Sequence, residues 1–113
     1  MKLSELDATF LKVGQSDPEG GRSFYTDAPF DEADGVMFLC PKCFAANGGK
    51  VGTHAVICWF AGRVLDSLDP KPGRWNPQGT GMDDLTFVGP GAVSVQLLGG
   101  CNWHGFVTNG SAE

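Results

Sequence analysis

Apolar residues occur in this chain as short runs of four to eight, set apart by glycine- and proline-rich breaks. Such runs suit strands better than helices. Ser4-Glu5-Leu6-Asp7 caps one short helical turn, and Ala8-Thr9-Phe10-Leu11-Lys12-Val13 reads as a strand ending at Gly14. Residues 14–23 are polar and glycine-rich and read as a mobile loop. Phe24, Tyr25 and Phe30 interrupt the polar stretch that follows and are expected under the core; Asp31-Glu32-Ala33-Asp34-Gly35 reads as a helical turn.

The apolar run Gly35-Val36-Met37-Phe38-Leu39 leads straight into Cys40, and Ala46-Asn47-Gly48-Gly49 turns the chain back. Thr53–Phe60 is the clearest strand: period two puts His54, Val56, Cys58 and Phe60 on one face and Ala55, Ile57 and Trp59 on the other. Two apolar faces predict a central position in a sheet. Residues 66–84 show no periodicity and read as a long loop. Leu85–Val88 and Ala92–Leu98 are predicted strands joined through Gly89-Pro90-Gly91, and Gly105–Thr108 is a last short strand before Asn109-Gly110. The fold class expected is mainly β: a small antiparallel, zinc-ribbon-like domain with little helix.

A chain of 113 residues has room for one domain, divided here into an N-terminal strand and mobile loop (1–34) and a core (35–113). Its 17 glycines and 7 prolines raise the entropy cost of folding, which a metal cross-link would offset. The formal charge is −5, from 13 acidic and 8 basic residues without a basic cluster, which disfavours phosphate-neutralising nucleic-acid binding. No apolar run approaches a bilayer span, and Met1–Asp7 carries no secretory h-region. The expected setting is therefore cytoplasmic, where C-x-x-C reads as a metal or redox pair rather than a disulfide.

Candidate chemistry concentrates in Cys40-Pro41-Lys42-Cys43 and Cys101-Asn102-Trp103-His104, a C-x-x-C and a C-x-x-H pair with 57 residues between them. Thiolate and imidazole are the ligands of tetrahedral Zn2+, and four of them close the coordination shell, so the site reads as structural. The expected ligands are Cys40, Cys43, Cys101 and His104. His54 or Cys58, on one face of the clearest strand, are the alternatives to His104; Cys58 fits better as a small buried hydrophobe. A redox C-x-x-C opens a helix, and Phe44–Gly49 is too short and glycine-limited to predict one. Trp59 reads as core, Trp103 as a cover over the metal, and Trp75 with Arg74 as a partner-binding anchor or, equally, a lid on the core. No nucleophile-elbow or phosphate-loop sequence supports catalysis, and the chain reads as a non-enzyme.

The strand–Cys-Pro-x-Cys segment, Leu85-Thr86-Phe87 and the block Gly100-Cys101-Asn102-Trp103-His104-Gly105-Phe106-Val107-Thr108-Asn109-Gly110 resemble a group of small phage and bacterial Cys/His zinc-binding proteins. The resemblance spans roughly residues 35–110 together with Leu3-Ser4-Glu5-Leu6. Phage copies often carry the label ammonia monooxygenase, for which this chain offers neither spanning helices nor a copper site. Bacterial forms have Phe-Trp after the histidine, where Gly105-Phe106 stands here, and some accompany ubiquitin-like conjugation genes. The resemblance implies a phage origin, a metal site on Cys40, Cys43, Cys101 and His104, and residence in the cytoplasm of an infected bacterium. The function expected is a zinc-stabilised binding protein that interacts with or inhibits a host protein, including host defence machinery. A small-ligand binder closing a loop near Trp75, a zinc-dependent hydrolase and a virion component are the alternatives.

Overall fold

A computed structural model describes residues 1–16, 23–64, 68, 70, 73–91, 93–97 and 100–113. The architecture is mainly β, as expected, in three antiparallel sheets. The largest is built from β1 (Thr9–Ser16), β2 (Ser23–Asp27), β3 (Gly35–Leu39) and β4 (Ala55–Trp59), in the order β2-β1-β3-β4. β5 (Asn76–Gln78) pairs with β6 (Thr86–Val88), and β7 (Ser94–Gln96), β8 (His104–Thr108) and β9 (Ser111–Ala112) form the third sheet. Single 3-10 turns lie at Leu3–Glu5 and Phe30–Glu32, and the one α-helix among the described residues, α1, spans Pro41–Asn47.

Register decides which side chains meet. Phe10 lies opposite Val36, Val36 opposite Cys58, and Phe38 opposite Val56. These residues share one face of the large sheet and, with Phe60, Leu85, Phe87, Val95 and Trp103, make the main core. The other face carries a smaller packing unit. Leu11 pairs with Gly35, which pairs with Trp59. A Cβ on Gly35 would come within 2.5 Å of Trp59 Cε3, so the bare glycine is what lets the indole lie across the strand.

This second unit explains why both faces of β4 are apolar although β4 stands at the end of its sheet, not in the centre as the pattern predicts. Beyond Trp59 its edge is partly covered: Trp75 N–H donates to Trp59 O (3.1 Å), and Phe60 and Trp75 form a parallel bridge.

Residues 1–34 and 35–113 are not separate layers, because β1 sits between β2 and β3. The two chain ends also pair: Leu3 N–H donates to Gly110 O (2.8 Å) and Ala112 N–H to Met1 O (2.9 Å). Asn109 and Gly110, both with positive φ (48° and 75°), form the two-residue link between β8 and β9, the turn that an Asn-Gly pair favours. The expected loop at 14–23 instead contains the end of β1 and the start of β2; its centre, and the side chains of Phe24 and Tyr25, lie outside the described residues.

Candidate metal centre

Cys40 follows β3 directly and is the N-cap of α1. Pro41 at the first helical position needs no hydrogen-bond acceptor, and Phe44 N–H donates to Cys40 O at 2.8 Å. One helical turn then brings Cys43 back beside Cys40. The helix ends at Gly48, whose left-handed conformation (φ 67°) caps it. The short helix corrects the expectation that the segment after Cys43 would not be helical.

His54 arrives through the β3–β4 ladder. Cys40 N–H donates to His54 O at 2.9 Å, extending the register that sets Phe38 opposite Val56. Residues opposite each other in a ladder project from the same face. Cys40 and His54 are therefore neighbours by register, although 14 positions apart in sequence.

Cys101 lies in the turn that joins β7 to β8. Leu97 N–H donates to Trp103 O (2.9 Å) at the base of this turn, and Lys42 Nζ donates to Cys101 O (2.7 Å), tying the turn to α1. Trp103 points into the core, edge-on to Phe38 at 6.0 Å and 87°. It therefore packs beside the site against the residue two before Cys40.

These elements bring Cys40, Cys43, His54 and Cys101 together, one ligand atom from each lying within 4.8 Å of every other. Cys40 Sγ is 3.6 Å from Cys101 Sγ, and His54 Nε2 is 3.4 Å from Cys101 Sγ. Bond lengths of about 2.3 Å for Zn–S and 2.0–2.1 Å for Zn–N give tetrahedral edges of about 3.8 Å (S–S) and 3.6 Å (N–S). The Cys40–Cys101 and His54–Cys101 separations lie within about 0.2 Å of those edges. The donor set and its spacing fit a metal ion held by three thiolates and one imidazole. His54 Nδ1 lies 3.4 Å from Ala55 O, which orients the ring with Nε2 toward the sulfurs.

The expected fourth ligand, His104, is not part of this cluster. Alternation along β8 explains why: Trp103, Gly105 and Val107 face inward, so His104, Phe106 and Thr108 must face out. His104 is exposed, its ring 6.2 Å from that of Phe106. The sequence motif C-x-x-H thus supplies its cysteine only, and His54 takes the place of the histidine. Cys58 is fully buried against Val36, as the small-hydrophobe reading expects, and burial alone pushes its thiol up.

Electrostatics within the cluster separate the thiols. The His54 side chain draws Cys101 down to about 6, helped by the Trp103 backbone N–H and the neighbouring thiols and opposed by burial. Burial, then contact with Cys101 and Cys40, pushes Cys43 up to about 11. Cys101 and Cys43 are thus shifted in opposite directions, and a divalent cation between them would favour the thiolate form of both.

Trp75 and Arg74 turn out differently from an exposed anchor. Trp75 is 8% exposed, stacks on Phe87 at 5.6 Å and donates from Nε1 to Ser94 O at 2.9 Å. Arg74 is half-buried, and its guanidinium donates to Leu68 O, Pro70 O and Gly73 O. The pair holds a loop onto the core. Among the described residues the large exposed hydrophobics are Val51, Val93 and Phe106, and no helix is long and apolar enough to cross a membrane. Compared with protein-family models, curated proteins and solved structures, the chain matches none.

Proposed function

We propose that this chain is a zinc-stabilised binding module without enzymatic activity, which holds Zn2+ structurally and engages a partner protein. The observation that carries the metal reading is the convergence of four neutralisable ligands from three separate parts of the chain. Four protein ligands fill a tetrahedron and leave no position for substrate or water, which supports a structural rather than a hydrolytic ion. Three thiolates and one imidazole suit zinc over harder cations.

The outward face of β8 supports the binding role. Phe106 is 50% exposed there, between His104 and Thr108, with Gln96 paired opposite His104 and Ser94 opposite Phe106. Glu113, paired with Phe106 through both backbone hydrogen bonds, adds a charged rim, and an exposed ring inside a polar rim has the character of an interface centre. Trp75, by contrast, is engaged in the core and offers no support to a small-ligand pocket. The resemblance in residues 35–110 makes a bacterial host protein the partner we favour.

The test is elemental analysis of the purified chain together with affinity capture from bacterial lysate by wild type and by Phe106→Ser. Stoichiometric zinc in both proteins, and a host protein retained by wild type but lost by the variant, is the expected result. Metal-free folded protein would sink the first half of the reading. A captured protein held equally by both would remove β8 as the binding face.

A further inference from the structure

We infer that Cys40 and Cys101 are a disulfide-forming pair that replaces the metal as the staple of the fold when the protein meets a hydroperoxide. The inference rests on the metal reading above and extends it to a modification site. Its basis is geometric. The two sulfurs lie 3.6 Å apart, with both cysteines free. The sulfurs are already in contact, and about 1.5 Å of further approach gives the bond length of about 2.05 Å.

The two cysteines sit on elements held in place independently of their sulfurs. Cys40 is fixed by the hydrogen bond from its N–H to His54 O, and Cys101 by that from Lys42 Nζ to its carbonyl. A bond between them joins the same two chain regions that the ion joins, 61 positions apart. The long-range closure therefore survives oxidation, while Cys43 and His54 are left as two ligands, too few to retain zinc. Cys58, fully buried on the other side of Val56, takes no part.

The chemistry balances with a hydroperoxide as oxidant. Cys101, half-buried where Cys40 is fully buried, attacks first. Its thiolate forms an S–O bond with the terminal peroxide oxygen as the O–O bond breaks, and the other oxygen leaves as hydroxide or alkoxide. The Cys40 thiolate then attacks the sulfenic sulfur, forming the S–S bond and expelling hydroxide. The two thiolates together lose two electrons, the peroxide gains them, and Zn2+ is set free.

The experiment treats the zinc-loaded full-length chain with hydrogen peroxide, follows released zinc with a chromophoric chelator and maps the product under non-reducing conditions. Trypsin cuts after Lys42 and so places Cys40 and Cys43 on different peptides. The expected result is stoichiometric zinc release, loss of two hydrogens from the reduced metal-free mass, and a Cys40-to-Cys101 peptide link. The oxidised metal-free protein should also melt at a higher temperature than the reduced metal-free protein, and Cys58→Ala should behave as wild type. A link to Cys43, a link between chains, or zinc retained after oxidation overturns the proposal. Mapping the metal-free chain alongside separates the two readings: absence of zinc loading counts against the metal, and absence of the Cys40–Cys101 link counts against the switch.

Discussion

Replacing His54 by alanine should weaken zinc binding far more than replacing His104, although only His104 belongs to a recognisable ligand motif. Structural zinc sites supply about 10–16 kcal/mol of apparent binding free energy in small domains. Spread over the four side chains of this cluster, that is about 2.5–4 kcal/mol for each ligand. At 1.4 kcal/mol per factor of ten, His54→Ala should bind zinc about 60- to 700-fold more weakly than wild type. His104→Ala removes an exposed ring that contacts Phe106, and should leave affinity unchanged and stability within about 0.5 kcal/mol. Competition against a chromophoric chelator measures both affinities, and Co2+ substitution reports coordination directly through its visible bands. A His104 variant that loses metal while the His54 variant keeps it would show that β8 turns its other face to the site. It would also refute the ladder argument that aligns Cys40 with His54.

Other substitutions test separate parts of the structure. Cys58→Ala should retain full zinc stoichiometry and cost about 1 kcal/mol in urea unfolding, since it removes one buried sulfur and no ligand. Gly35→Ala should destabilise by about 1–3 kcal/mol by the same assay, because the new methyl meets Trp59 and the Cys58 carbonyl; the combination with Trp59→Leu should recover part of that loss. Asp84 accepts hydrogen bonds from the Thr80 and Gly81 N–H groups and the Thr80 hydroxyl, which hold its carboxyl below the ordinary value of 3.8. A carboxyl lowered by folding stabilises the protein above its unfolded pKa and loses that contribution as pH falls through the folded one. Asp84→Asn should therefore lower the melting temperature at neutral pH and flatten the fall in stability below pH 3.8; an unchanged acid profile would rule out the loop as its source.

Three of the four clustered side chains are legible from spacing, because C-x-x-C and an isolated cysteine beside glycines leave few other uses for thiols. The histidine is less legible. Both His54 and His104 lie at the start of a strand, and only register tells them apart. His54 follows the face of Val56 and Cys58, which the alternation at 53–60 already puts toward the core. His104 follows Trp103, whose size commits the odd positions of β8 inward.

Helix α1 is hard to see for a different reason. At seven residues it is too short to show amphipathic period, and its signals are local: Pro41 at the start and Gly48 at the end. Edge placement of β4 is hidden by the glycine at 35, which lets Trp59 find cover on the far side of the sheet. Trp75 stands among polar residues in sequence, but Phe87 and the Ser94 carbonyl, which bury it, come from strands further along the chain. Pairings between distant segments are what a local pattern omits.

The bonds from Leu3 to Gly110 and from Ala112 to Met1 set the order of biosynthetic events. A nascent chain can form the β1–β3–β4 hydrogen bonds early, but residues 110–112 must leave the exit tunnel before its first strand-like segment has a partner. Cys101, too, emerges long after Cys40, Cys43 and His54, so an ion captured before it appears would have at most three ligands. Completion of this domain therefore waits on its last-made segment, whichever of the earlier strands pair first.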